Sequence, residues 1–123
     1  MIVAPGVTKA GERSERTVNL LDIYPTLLDL CGLAQKKGLE GNSLLPLLKD
    51  PRAPWKQPAV TTHGRNNHAV RDERWRYIRY ADGTEELYDQ RTDPWNIHNQ
   101  AGNRALAGVI AEHVRWLPRQ EAP

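Results

Sequence analysis

Residues 75–89 read W-R-Y-I-R-Y-A-D-G-T-E-E-L-Y-D, and their period decides the fold. Side chains along a strand alternate between faces. Trp75, Tyr77 and Arg79 therefore share one face, and Arg76, Ile78 and Tyr80 the other. Asp82-Gly83 is a hairpin signal, which makes residues 75–81 one strand and 86–89 its returning partner. Two short runs before it, 59–63 and 69–72, read as further strands, and Asp93-Pro94 ends the last one with a turn. Over residues 104–117, Leu106, Val109, Ile110, His113, Val114 and Leu117 recur at helical spacing, closed by Pro118. The expectation is a small α+β unit, a four-stranded antiparallel sheet with one C-terminal helix across a face.

Upstream the period changes from two to 3.6. Asn19 is placed as an N-cap, and Leu20, Ile23, Tyr24, Leu27, Leu28 and Cys31 follow at helical spacing, with Gly32 as a left-handed end. Pro25 removes a backbone donor in the second turn and predicts a kink or a start near Tyr24. Leu21 and Leu30 flank the stripe, so the helix is apolar around much of its girth and expects cover on more than one side. Cys31 has no His or basic residue within a turn, so it reads as a core cysteine and not as an activated thiolate. Ile2-Val3-Ala4 before Pro5-Gly6 reads as the tail of a strand, residues 9–16 as a polar loop, and residues 43–48 as a short apolar helix. Pro51, Pro54 and Pro58 mark a linker. The expected division is 1–50, a linker at 51–58, and 59–123.

Composition is thin for a core. Leu, Ile, Val and Phe make up 26 of 123 residues, near the roughly 20% below which disorder is expected. The net charge of only +2 lacks the other half of that signature. Eleven of the 14 leucines lie between Leu20 and Leu48. No stretch approaches the ~20 apolar residues of a membrane span, and the start has no signal-peptide hydrophobic core. The lone cysteine allows neither an internal disulfide nor a cysteine-rich zinc site. Gly-rich phosphate loops, G-x-S-x-G, H-E-x-x-H and calcium-loop spacing are all missing.

The chemistry-bearing residues crowd T-H-G-R-N-N-H, residues 62–68. His63 and His68 could shuttle protons or bind a metal, and Arg65 could clamp an oxyanion, with Asn67 in the same turn. The same residues also suit a polar hairpin loop that only satisfies its own backbone. A third metal ligand is not evident nearby. Arg65, Arg71, Arg74, Arg76 and Arg79 interleave with Trp75 and Tyr77, a face that offers the alternative of a non-enzymatic module binding a polyanion, a sulfated glycan or single-stranded nucleic acid. Without an RNP-like signature, cross-strand pairing with Glu85, Glu86 and Asp89 is the better account, and nucleic acid is not the expected partner.

Taken in order, the motifs resemble the C-terminal third of sulfatases, in the branch similar to iduronate-2-sulfatase. They are A-P-G-V-T-K-A-G (4–11), V-N-L-L-D-I-Y-P-T-L-L-D-L-C-G-L (18–33), L-E-G-N-S-L-L-P-L-L (39–48), N-H-A-V-R-D-E-R-W-R-Y-I-R-Y-A-D-G-T-E-E-L-Y-D (67–89), and Asp93-Pro94 followed by Asn99. The resemblance implies that residues 1–50 finish an alkaline-phosphatase-like α/β domain, as a strand tail plus the Leu-rich helix. Residues 59–123 would then form a C-terminal subdomain whose loops edge the substrate cleft. It implies a parent enzyme that hydrolyses sulfate esters, plausibly of a sulfated carbohydrate, with a formylglycine nucleophile and calcium in the missing N-terminal domain. Members are often exported or periplasmic. Cys31 precedes Gly32-Leu33 and is not the C-x-P-x-R cysteine, so no catalytic residue, metal ligand or cofactor is assigned within this chain. His63, Arg65, Asn67 and His68 are carried forward as substrate-binding candidates. Two departures stand out: Gly64-Arg65-Asn66-Asn67 lacks the second glycine of G-x-G-N-H-A, and Trp95-Asn96-Ile97-His98 departs from D-P-x-E-W-x-N.

Overall fold

The backbone demands of Asn19 to Leu44 shape the first part of the chain. A 3-10 turn, Leu20–Asp22, leads into α1, Ile23–Leu30, and a shorter helix follows, α2, Leu45–Lys49. Pro25 neither kinks nor delays α1. It is the third residue of the helix, where a backbone N–H has no intrahelical partner to lose. The structure is a computed structural model that describes residues 1–119. It divides into two compact units, Met1–Lys56 and Gln57–Pro123.

In the first unit two buried polar side chains act as staples. The Asp22 carboxylate accepts the N–H of Asn19 at 2.7 Å and that of Asn42 at 2.8 Å. Thr26 donates its hydroxyl to the Asp22 carbonyl at 2.5 Å and accepts the N–H of Leu44 at 2.8 Å. The chain passes so close that a Cβ on Gly41 would lie 2.1 Å from the Leu21 carbonyl oxygen. Only glycine allows that approach. Ser14 and Arg16 donate to the carbonyls of Pro51 and Arg52, and Trp55 donates to that of Thr17. Much of the proline-rich segment is therefore tied down along residues 14–17.

What α1 buries is not its apolar stripe. Asp22, Pro25 and Thr26 are buried, whereas Leu20 is 86% exposed and Leu21, Ile23, Tyr24 and Leu27 are also exposed. Cys31 corrects the sequence expectation: it is exposed. It caps α1 with its N–H on the Leu27 carbonyl and shares the open stripe. Ile2, Val3 and Ala4 pair with no strand among the described residues, because an extended segment becomes a strand only beside a neighbour. Ala4 instead opens a turn, accepting the N–H of Val7 and of Thr8.

The second unit holds an antiparallel meander in the order β1 (Ala59–Thr62), β2 (His68–Arg71), β3 (Trp75–Arg79) and β4 (Glu85–Asp89). Val60, Val70, Tyr77 and Leu87 stand in one register row. The last three are fully buried. A 3-10 turn, Arg104–Leu106, capped by the Asn103 side chain, continues into α3, Ala107–Val114. Leu106, Val109, Ile110, Val114 and Leu117 pack against that row, which is the stripe the spacing predicts. Fully burying side chains of this size contributes about 1.5–3 kcal/mol each.

An ion pair between the buried His113 imidazole and the part-exposed Asp72 carboxylate secures α3. His113 donates from Nδ1 to the Val109 carbonyl at 2.8 Å, and its Nε2 lies 3.3 Å from Asp72 Oδ2, within ion-pair distance but outside hydrogen-bond geometry. Burial opposes the imidazolium, but Asp72 and the Val109 carbonyl outweigh it and raise the His113 pKa above 6.5. Burial also opposes the Asp72 carboxylate. His113 and the N–H groups of Trp75 and Arg74 nonetheless hold its pKa down to about 2.

Gly41→Ala and Asp22→Ala each destabilise the first unit, the latter by roughly 2 kcal/mol for the stranded N–H groups, read as a lowered urea midpoint. The His113 contribution is complete below pH 6.5 and is lost as pH rises through its raised folded value. That of Asp72 is present above pH 3.8 and is lost as pH falls toward 2. The melting temperature lost in Asp72→Asn is accordingly greater at pH 5.5 than at pH 9, and equal losses would refute the pairing.

Candidate functional site

The turn between β1 and β2 is held in one shape by its own polar groups. Gly64 and Asn66 take positive φ values of 65° and 62°, a region that glycine enters freely and asparagine tolerates. The Asn67 side chain donates to the Arg65 carbonyl at 3.0 Å and accepts the Ala81 N–H at 3.1 Å. The second bond fastens the turn to the β3–β4 hairpin. The His63 N–H reaches the Asn67 carbonyl at 2.9 Å. Asn66 supplies the left-handed conformation where a second glycine was missed in the sequence, so the turn keeps its form.

Of the four candidates, His63 and Arg65 are exposed and Asn67 is half-buried. His68 is not in the turn. It is the first residue of β2, 5% exposed, with Nδ1 2.9 Å from the Thr62 hydroxyl. His63 and Arg65 can meet a ligand, Asn67 braces the turn that carries them, and His68 belongs to the sheet beneath.

That sheet end is a polar row. Thr62, His68, Arg79 and Glu85 are successive register partners on the α3 side. Glu85 accepts from the Tyr77 hydroxyl at 2.5 Å and from Arg79 Nη2 at 2.8 Å. Tyr77 and then Arg79 lower the carboxyl pKa of Glu85, while burial and then Glu85 raise that of the Tyr77 phenol. Sequence reasoning missed Thr62, Tyr77 and Glu85 as neighbours of His68. The register was the only signal that could have found them, through counting outward from the Asp82-Gly83 turn.

The interleaved Arg, Trp and Tyr residues are divided between faces. Tyr77 is the buried centre of the core and Trp75 packs against it, while Arg71 and Arg76 point to the opposite side. Arg74 holds Asp89 through Nε and Nη2, at 3.0 and 2.8 Å, with its guanidinium 4.8 Å from the Trp75 ring centroid. In the turn after β4, the Asp93 carboxylate accepts the N–H of Ile97 and of His98. This leaves Trp95 83% exposed.

Chemically, the site offers an imidazole and a guanidinium at a braced edge, suited to binding an anion. It does not fit calcium: among the described residues no group of three His, Cys, Asp or Glu is placed to hold a metal ion. It does not fit formylglycine either, because Cys31 is followed by Gly32-Leu33-Ala34-Gln35.

Residues 1–122 match the family described as N-sulphoglucosamine sulphohydrolase, C-terminal. A sulfatase of Formosa agariphila is 39% identical over 112 residues, covering 91% of this chain and 22% of that protein. Arylsulfatase K of Homo sapiens is 36% identical over 118 residues, covering 82% of this chain and 22% of that protein. A solved protein in complex with its substrate D-glucosamine-2-N,6-O-disulfate superposes with a TM-score of 0.63 at 25% identity, covering 76% of this chain and 22% of the other. The chain thus spans 22% of the length of these curated relatives.

The brace is open to direct test. Asn67→Ala removes both side-chain bonds and costs about 1 kcal/mol. Amide hydrogen exchange then rises at residues 63–67 and at Ala81, with the β3–β4 ladder unchanged. Unaltered exchange at Ala81 would show that the turn is held by other means.

Proposed function

This chain belongs to the sulfatases, matching their C-terminal portion, and from that premise we propose that it completes an enzyme hydrolysing sulfate esters of carbohydrate without itself carrying out the chemistry. The observation that carries the reading is the braced, exposed pair His63 and Arg65. Such a pair can meet a sulfate-bearing substrate, while among the described residues no group of three His, Cys, Asp or Glu is placed to hold a metal ion. In this reading calcium and formylglycine reside in the large N-terminal domain of the parent enzyme. Residues 1–50 finish that domain, 51–58 connect, and 59–123 form the subdomain whose turn edges the substrate cleft.

The open stripe of α1 supports the same reading. Leu20, Ile23, Tyr24 and Leu27 recur at helical spacing and are all exposed, an arrangement expected of a face meant to be covered. We assign its cover to the N-terminal domain.

Incubated with calcium and an aryl sulfate, the purified chain shows no turnover above background, and turnover would overturn the assignment of chemistry elsewhere. In a longer chain bearing C-x-P-x-R ahead of this segment, Arg65→Ala raises KM for a sulfated disaccharide about tenfold, the equivalent of one charge-assisted hydrogen bond. Its kcat is nearly unchanged. An unchanged KM would remove Arg65 from the cleft.

A further inference from the structure

The face of the sheet turned away from α3 carries an electrostatic conflict. Ala59, Arg71, Arg76 and Tyr88 form one register row there, and Thr61, Ala69, Ile78 and Glu86 the next. Arg71 and Arg76 are direct cross-strand partners. Like charges in that relation repel, and opposite charges are the stabilising choice. The neighbouring arginines of the same strands are resolved: Arg74 holds Asp89 and Arg79 holds Glu85, each at 2.8 Å. Among the described residues no carboxylate stands within ion-pair distance of Arg71 or Arg76.

The surroundings narrow what would resolve the conflict. Glu86 is the carboxylate of the adjoining row; after burial it helps to raise the phenol pKa values of Tyr80 and Tyr88, while Arg76 lowers that of Tyr80. Arg71 is exposed, Arg76 and Ile78 are half-buried, and Tyr80 is 36% exposed. Two guanidinium groups therefore flank a partly apolar, aromatic-edged surface. Guanidinium forks bind the oxygens of a planar or tetrahedral anion in pairs, and tyrosine and isoleucine suit the apolar face of a sugar ring. Arg71 ends β2 at the opposite end from the turn at residues 62–67, about 10 Å along the strand.

We propose that Arg71 and Arg76 form an anion clamp for a sulfate group on a glycan, a second carbohydrate-binding site on the outer sheet face, separate from His63 and Arg65. The identity of the anion rests on the reading that the parent enzyme acts on sulfated carbohydrate. The clamp holds a sulfated sugar away from the reacting bond, so it recognises chain context and takes no part in catalysis. Binding relieves the repulsion between the two side chains, so the anion also stabilises the sheet.

The test uses the purified chain, a heparin-derived sulfated disaccharide, its desulfated counterpart and a short single-stranded oligonucleotide. Binding is followed through the backbone amides of β2 and β3 and through the melting temperature. The sulfated disaccharide shifts Arg71, Arg76 and Ile78 amides and raises the melting temperature, and the desulfated sugar does neither. The double variant Arg71→Gln, Arg76→Gln loses at least about tenfold in affinity, yet melts no lower than the parent without ligand because the repulsion is gone. Undiminished affinity in the double variant, or tighter binding of the oligonucleotide, would each overturn the proposal. The reading beneath it fails separately, if the longer enzyme cleaves no sulfated sugar while the clamp still binds one.

Discussion

The row Val70, Tyr77 and Leu87, buried beneath α3, is the constraint on which the second unit depends. Side chains on a strand have a period of two, so fixing one row fixes every other. With Tyr77 inward, Arg79 and Glu85 must share the α3 side with His68, and Arg71 and Arg76 must share the other. A slip of β3 by one residue would turn Arg76 inward and expose Tyr77. The hydrophobic cost of that slip specifies the placement of the polar residues, including those that could serve a ligand.

The first unit is organised differently. Its interior centres on polar groups, the Asp22 carboxylate and the Thr26 hydroxyl satisfying backbone N–H groups of a passing loop. Buried polar atoms are tolerable when so completely bonded. The leucine-rich helix meanwhile shows its apolar stripe to solvent. The leucine-rich stretch thus supplies both a surface, at Leu20, Leu21, Leu27 and Leu33, and an interior, at Leu44 and Leu47, and Cys31 lies exposed on the surface part.

Much of the second unit was legible in advance because its signals are local. The Asp82-Gly83 turn sets the β3–β4 register, and the stripe from Leu106 to Leu117 finds its core face at helical spacing. The helix at Leu20 was legible as a helix, but periodicity reports only that one side is apolar. It is silent on what lies against that side, so the burial expected of Cys31 was the reading that failed, while the stripe itself stands exposed. The turn at 62–68 was legible as a cluster of functional residue types. Its division into exposed His63 and Arg65, bracing Asn67 and buried His68 was not, because that division depends on contacts to Ala81 and Thr62 far along the chain or across a strand.

By itself the sequence determined the secondary elements, the antiparallel hairpins and the family, since each rests on neighbouring residues or on motifs kept in order. Only the tertiary structure decided which side of α1 is covered, that Gly41 is needed for a backbone approach, and which arginines are neutralised. Those outcomes depend on groups brought together from distant positions, and a burial or a charge has no defined partner until the chain has folded around it.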